Sequence, residues 1–284
     1  MTMGAPGKIE VRNSDKQECQ AILDAFFSHG HTELDAARVY GEGTTEEYLS
    51  QLNLGNAAID TKYADTFWIA ESRFNIVVPE YIPRSPGYMP PNVFAQNRSV
   101  PFEETLERVN EMYNEGLFQI FGLSNYASWE VAEIVGICKA KGYVQPKVYQ
   151  AMYNAITRAI EPELVPCLRK FGLRLIIYNP LAGGSFAGKP HRPRFVTENY
   201  SKAFESLKAV AAAHNLRLTE VALRWCQHHS VLTPEDGIIF GASSVAQLEQ
   251  NCTDSAKGPL PNEVVNALDE AWNEVGAQCP LYWR

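Results

Sequence analysis

The sequence predicts an α/β chain of the (β/α)8 TIM-type barrel class, incomplete at its first strand and at its third and fourth βα units. Helix-period and strand-period patterns alternate along most of the chain, which favours a parallel sheet with crossover helices. The 284 residues suit one barrel domain spanning 1–284. Two places interrupt the alternation, the extreme front and residues 65–96, and they define where the barrel is incomplete.

Ser14 and Gln17 read as a capping box before a helix whose apolar face is Cys19, Ile22, Leu23 and Phe26 and whose end is Gly30. A short strand at 32–35 follows. Thr44 and Glu47 read as a second capping box, opening a helix that holds Leu49 and Leu52, before a strand at 57–63. Pro101 begins a helix with Phe102, Leu106, Val109 and Tyr113 inward, closed by Gly116, and a strand at 118–123 comes next.

Ser128 reads as the cap of a helix reaching Lys141. A strand at 147–153, a helix at about 162–171 and a strand at 174–178 continue the series. Helices near 201–214 and 219–228, a strand at 237–240, a helix from Ser244 and a last amphipathic helix at 262–275 complete it. Residues 65–96 hold five prolines, too closely set for the helix of a βα unit, and only 74–78 (FNIVV) reads there as a strand. A first barrel strand has only residues 1–4 to occupy.

With 25 Lys and Arg against 33 Asp and Glu, the formal charge of −8 argues against a nucleic-acid or anionic-membrane surface. The six cysteines are scattered without CxxC or zinc-type spacing, so reduced thiols and no metal site are expected. The start, MTMGAPGKIEVRNSD, lacks the apolar core of a signal peptide. No run reaches the roughly 18 apolar residues of a membrane span, and the expected location is the cytosol.

In a barrel, side chains at the C-terminal ends of strands line one mouth, where function concentrates. Those ends carry Asp35, Lys62, Ser124 with Asn125, Gln150, Tyr178 and Ser243, and Tyr40 lies five residues beyond Asp35. A tyrosine beside a lysine makes sense as a proton donor to a carbonyl oxygen, because an ammonium lowers the phenol pKa from about 10 and a carboxylate fixes the ammonium. Taken singly, each has a plainer role: Asp35 as a turn cap, Tyr40 as a rim aromatic, Lys62 as a solvated charge.

Several long strings resemble the aldo-keto reductases, and within them the aflatoxin-aldehyde reductase branch. They are GHTELDAARVYGEG (30–43), IDTKY (59–63), FGLSNYASWEVAEI (121–134), VYQAMYNAITR (148–158), YNPLAGG (178–184), FGASSVAQLEQN (240–251) and GPLPNEVVNALDEAW (258–272). The resemblance covers about 1–64 and 97–284. It implies an NADPH-dependent reductase of a small-molecule carbonyl, in which Tyr40 is the general acid, Lys62 lowers its pKa and Asp35 pairs with Lys62. Ser124, Asn125 and Gln150 would hold the nicotinamide carboxamide, with Tyr178 packing on the ring.

The resemblance further implies that 179–189, through Asn179, Pro180, Leu181, Gly183, Gly184 and Lys189, covers the pyrophosphate. Residues 241–251 would take the adenosine 2′-phosphate end, through Gly241, Ser243, Ser244, Gln247, Gln250 and Asn251. Ser244 and Gln247 also read as a capping box, whose helix N-terminus offers free amides to an anion, although simple helix capping explains the same residues. Arg284, ending a tail with Tyr282 and Trp283, matches a clamp for an acidic substrate group. A homodimer is the assembly the resemblance points to.

The chain departs from the family at its fourth catalytic residue, a histidine, because ungapped alignment puts Phe94 there. No histidine occurs between His31 and His191, and Asn92, Gln96 and Asn97 are the nearest alternative donors. Three readings follow. The chain is a reductase with a reshaped pocket acting on an aldehyde or ketone, aromatic or polyketide-like. Or it binds NADP(H) or a metabolite without redox turnover, or performs a non-redox step. Or it is a defective product whose unpaired sheet edges native folds avoid.

Overall fold

The computed structural model describes residues 3–64, 67–71, 101–190, 195 and 197–283. Among these, seven strands lie in one sheet in sequence order: β1 (Glu33–Asp35), β2 (Ala58–Ala64), β3 (Phe67–Glu71), β4 (Ile120–Ser124), β5 (Val148–Met152), β6 (Arg174–Tyr178) and β7 (Gly237–Ile238). The pairs β1–β2, β4–β5, β5–β6 and β6–β7 are parallel. Sequence-ordered parallel strands joined by helices are the succession of a (β/α)8 barrel.

β3 breaks that succession, because it runs antiparallel to both β2 and β4. Where a βα unit needs a crossover helix, only two residues separate β2 from β3, and Lys62 pairs with Trp68. This strand was not expected. The one expected at 74–78 lies outside the described residues, as do Asn92, Phe94, Gln96, Asn97 and His191. At the front, Met3 makes a single bridge to Asn13 rather than a strand.

The helices are α1 (Lys16–Ser28), α2 (Thr44–Leu49), α3 (Phe102–Asn114), α4 (Ser128–Lys141), α5 (Leu164–Phe171), α6 (Glu198–Ala213), α7 (Leu218–His228), α8 (Val245–Ser255) and α9 (Asn262–Val275). Three expected caps move by one residue. Asp15 caps α1, accepting from the N–H of Gln17 and Glu18, because its shorter reach from the first turn beats that of Ser14. Thr44 is already inside α2, its hydroxyl turned back to Gly41 O. Ser128 is the first residue of α4, and Glu130 instead accepts the N–H of Ala127 at 2.7 Å. In α3 the inward face carries Met112, while Tyr113 is 40% exposed.

The main core joins β4, β5 and β6 to the helices packed on them, with Phe121, Leu123, Tyr149, Leu175 and Ile177 buried. α9 packs on α6 through Val264, Leu268, Ala271 and Val275, apolar at helical spacing. A second cluster lies under α1, α2 and α8, around Cys19, Ile22, Leu23, Leu49, Leu248 and Cys252. Among the described residues no helix is long and apolar enough to cross a membrane.

Candidate active site

Asp35 closes β1 and Lys62 lies near the end of β2, so parallel pairing puts them at the same end of neighbouring strands. Tyr40 opens a 3-10 turn, Tyr40–Gly43, on the loop after β1. That turn needs a glycine at 41, where φ is +55° and a Cβ would stand 2.9 Å from Val11 Cγ2. Glu42, also left-handed at φ 55°, is held by Lys8 Nζ at 2.9 Å and by the N–H of Ile9 at 3.2 Å. The turn is thereby fixed immediately after the tyrosine.

Lys62 Nζ donates to Asp35 Oδ1 at 2.5 Å, to Ala36 O at 3.0 Å and to Tyr40 Oη at 3.2 Å. Tyr40 Oη donates to Asp35 Oδ2 at 3.1 Å. Three side chains from two strands and a loop thus form one closed hydrogen-bonded set. Burial first, and then the Asp35 carboxylate that accepts its proton, push the Tyr40 phenol well above its ordinary range, with Tyr178 and Glu10 adding to the rise. This is opposite in direction to the lowering expected from Lys62, because burial and the carboxylate act on the same phenol.

Gln150, at the end region of β5, donates through Nε2 to Asp35 Oδ1 at 2.8 Å. One of its amide hydrogens therefore supports the carboxylate, which leaves the carbonyl oxygen and the second amide hydrogen to meet a ligand. Ser124, buried at the end of β4, is the register partner of Gln150. Asn125 follows it in a left-handed conformation, φ 64°. Tyr178 ends β6, half-buried, close enough for its charge state to act on Tyr40.

The segment after β6 concentrates left-handed residues: Asn179 (59°), Ala182 (47°), Gly183 (57°) and Gly184 (87°). The turn is closed by Ala182 N on Asn179 O at 2.9 Å and Gly184 N on Leu181 O at 3.0 Å, and its two glycines permit close backbone approach by a ligand. Pro180 is buried there, Leu181 half-buried and Lys189 exposed. Ser185 Oγ is buried with no hydrogen-bond partner among the described residues. It was not singled out from sequence, although it lies inside the segment that was.

Ser244 caps α8, its Oγ accepting from Gln247 N at 3.2 Å, and Gln247 Oε1 accepts from Ser243 N at 2.8 Å. Gly241 and Ser244 stand exposed beside this cap. Gln250 is already committed, accepting from Arg217 Nη1 at 2.6 Å and donating to Asp254. Asn251 is buried, and its Nδ2 has no partner among the described residues. Two orphaned buried polar groups, Ser185 and Asn251, on the two segments assigned to the cofactor fit a dinucleotide carrying both phosphate and hydrogen-bonding base groups.

Arg284 lies outside the described residues. Tyr282 acts as a tether, accepting from Ser128 N at 3.1 Å and bonding Glu163. The recorded partners of four histidines lie elsewhere: Glu249 for His29, Phe26 for His31, Lys257 O for His228 and Leu260 N for His229. Sequence reading also passed over Asp60 and Glu33, whose alternate positions beside Lys62 and Asp35 place them on the same strand faces.

A family model, the aldo/keto reductase family, matches residues 2–273. The chain is 40% identical over 317 aligned positions to aflatoxin B1 aldehyde reductase member 2 of Mus musculus, covering 98% of this chain and 86% of that protein. It is 38% identical to aldo-keto reductase family 7 member A3 of Homo sapiens, covering 98% and 96%. To the aldo-keto reductase pigE of Monascus ruber it is 35% identical, covering 99% and 95%. The 317 aligned positions with the mouse protein exceed the 284 residues of this chain, so that relative carries stretches without a counterpart here. Spanning nearly the whole sequence, these matches show that the chain belongs to the aldo/keto reductase family, oxidoreductases of (β/α)8 fold that act on aldehydes and ketones.

Proposed function

We propose that the protein reduces an aldehyde or ketone with NADPH, Tyr40 delivering the proton to the carbonyl oxygen. The observation that carries this is Lys62 Nζ, held at 2.5 Å from Asp35 Oδ1 and 3.2 Å from Tyr40 Oη. NADPH, when bound, supplies the hydride. Ser124, Asn125 and the carbonyl of Gln150 hold the nicotinamide end, Ser185 and the left-handed turn at 182–184 the pyrophosphate, and Ser243, Ser244 and Asn251 the adenosine end.

Tyr40 exchanges its hydrogen bond to Asp35 for one to the substrate oxygen. Lys62 then stabilises the phenolate left behind, and Asp35 keeps the ammonium in place. The mouse relative is named for an aldehyde, which puts aldehydes first among substrates, aromatic and polyketide-derived carbonyls included. Fluorescence titration with NADPH, followed by turnover with a panel of aldehydes and ketones, tests the reading. Wild type should bind and oxidise NADPH, and Tyr40→Phe should bind it with turnover lowered by about 10²-fold or more. Binding without oxidation across the panel would sink the proposal.

A second reading, binding of NADP(H) or a metabolite without redox turnover, is favoured by the rise of the Tyr40 phenol, which holds its proton on Oη in the hydrogen bond to Asp35. It predicts that Tyr40→Phe leaves NADPH affinity unchanged in a protein that has no turnover to lose. A large rate loss in that variant rejects it.

A further inference from the structure

Asp60 stands in β2 two residues before Lys62 and is the register partner of Asp35. Because strand side chains alternate, Asp60 and Lys62 share one face of β2, and Glu33 and Asp35 share the matching face of β1. This face is buried at Asp60, which is 1% exposed. Arg174 reaches the same set from β6, with Nη1 and Nη2 at 3.0 and 2.9 Å from the two oxygens of Glu33.

Three carboxyl groups therefore meet two cations. Arg174 is engaged by Glu33, and Lys62 by Asp35 at 2.5 Å. Asp60 Oδ1 has no hydrogen-bond partner among the described residues. An ionised Asp60 would leave one buried negative charge uncompensated, which is strongly unfavourable. A proton on Asp60 balances the set and gives Glu33 a donor.

We infer that Asp60 is a positioning residue that carries a proton during turnover, leaving the Lys62 ammonium to Asp35 and Tyr40. The inference rests on the reductase reading above. The charged groups facing Asp60 among the described residues are Glu33 and Asp35 from β1, Lys62 from its own strand and, through Glu33, Arg174 from β6. Burial, the Glu33 and Asp35 charges and a hydrogen bond with Glu33 push the Asp60 carboxyl up to about 9, while Lys62 pulls it the other way. When Asp60 ionises, a second negative charge beside Asp35 makes Tyr40 hold its proton harder, and proton donation to the carbonyl slows.

Infrared difference spectra of the whole protein at neutral pH, wild type minus Asp60→Asn, should show the carbonyl stretch of a protonated carboxylic acid, lost as pH rises through about 9. Turnover measured across the same range should fall about tenfold in wild type, and much less in Asp60→Asn, whose amide donates to Glu33 but cannot ionise. Glu33→Gln, which removes the anion that most opposes ionisation of Asp60, should move the fall to lower pH and serves if Asp60→Asn fails to fold. Absence of the acid band, an unaltered fall in Asp60→Asn, or an unshifted fall in Glu33→Gln overturns the inference. An acid band in a protein without turnover would refute the reductase reading and leave the proton on Asp60 established.

Discussion

Gln150 donates its amide to Asp35 Oδ1 at 2.8 Å, on the oxygen that also holds Lys62. β5 thus fixes the carboxylate of β1 from across the barrel mouth. Gln150→Leu removes that support and leaves Asp35 held by Lys62 and Tyr40 alone among the described residues. Under the proposed function, steady-state kinetics should show kcat lowered by about tenfold, with a smaller rise in the Kd for NADPH, because Asp35 orients Tyr40 directly and would touch the cofactor only through its neighbours.

Lys62 and Asp35 are only 14% and 12% exposed, so removing one leaves the other poorly compensated. Lys62→Met should lower unfolding stability in urea by on the order of 3 kcal/mol and abolish turnover. The double variant Lys62→Met, Asp35→Asn should recover most of the stability and none of the turnover. Equal instability in the single and double variants would contradict the charge-pair account.

Asn251 has a buried amide whose Nδ2 lacks a partner among the described residues. A ligand acceptor is what it fits. Asn251→Ala should weaken NADPH binding by about tenfold in a fluorescence titration, corresponding to about 1.4 kcal/mol. The melting temperature of the ligand-free protein should shift by no more than a few degrees, roughly the effect of 1 kcal/mol in a chain of this size.

Asp236, whose side chain is 1% exposed, accepts from Arg169, from Thr233 N at 2.8 Å and from Leu175 N at 2.8 Å. Burial alone pushes its carboxyl up, but these hydrogen bonds and the Arg169 charge outweigh burial and hold it below the ordinary range. A folded-state value below the unfolded one contributes stability above the unfolded pKa of about 3.9, lost as pH falls through the lower folded value. Asp236→Asn should therefore cost on the order of 2 kcal/mol at pH 7, with the gap from wild type closing below about pH 4. Denaturation curves at several pH values check it.

β6 and α9 have the bounds their patterns predict, because a buried strand run and a helical apolar stripe are each set by a local period. The caps of α1, α2 and α4 shift by one residue, since which of two adjacent polar side chains reaches the free N–H groups depends on geometry that spacing does not encode. The nearness of Asp35, Tyr40 and Lys62 was legible through strand ends. The bond from Gln150 to Asp35 was not, because it joins residues 115 apart across the mouth. Nor was the reversal of β3, whose direction is decided by pairing with β2 and β4 rather than by its own five residues.

All three N–H bonds of the Lys62 ammonium have acceptors, in Asp35 Oδ1, Ala36 O and Tyr40 Oη. An amine attacks an aldehyde only through a free lone pair, which this nitrogen would gain by surrendering one of those protons and its bond. The arrangement that joins Lys62 to Tyr40 also shields the lysine from condensing with a carbonyl compound. If the proposed reduction of aldehydes holds, the same three bonds keep the amine of the site from being captured as an imine.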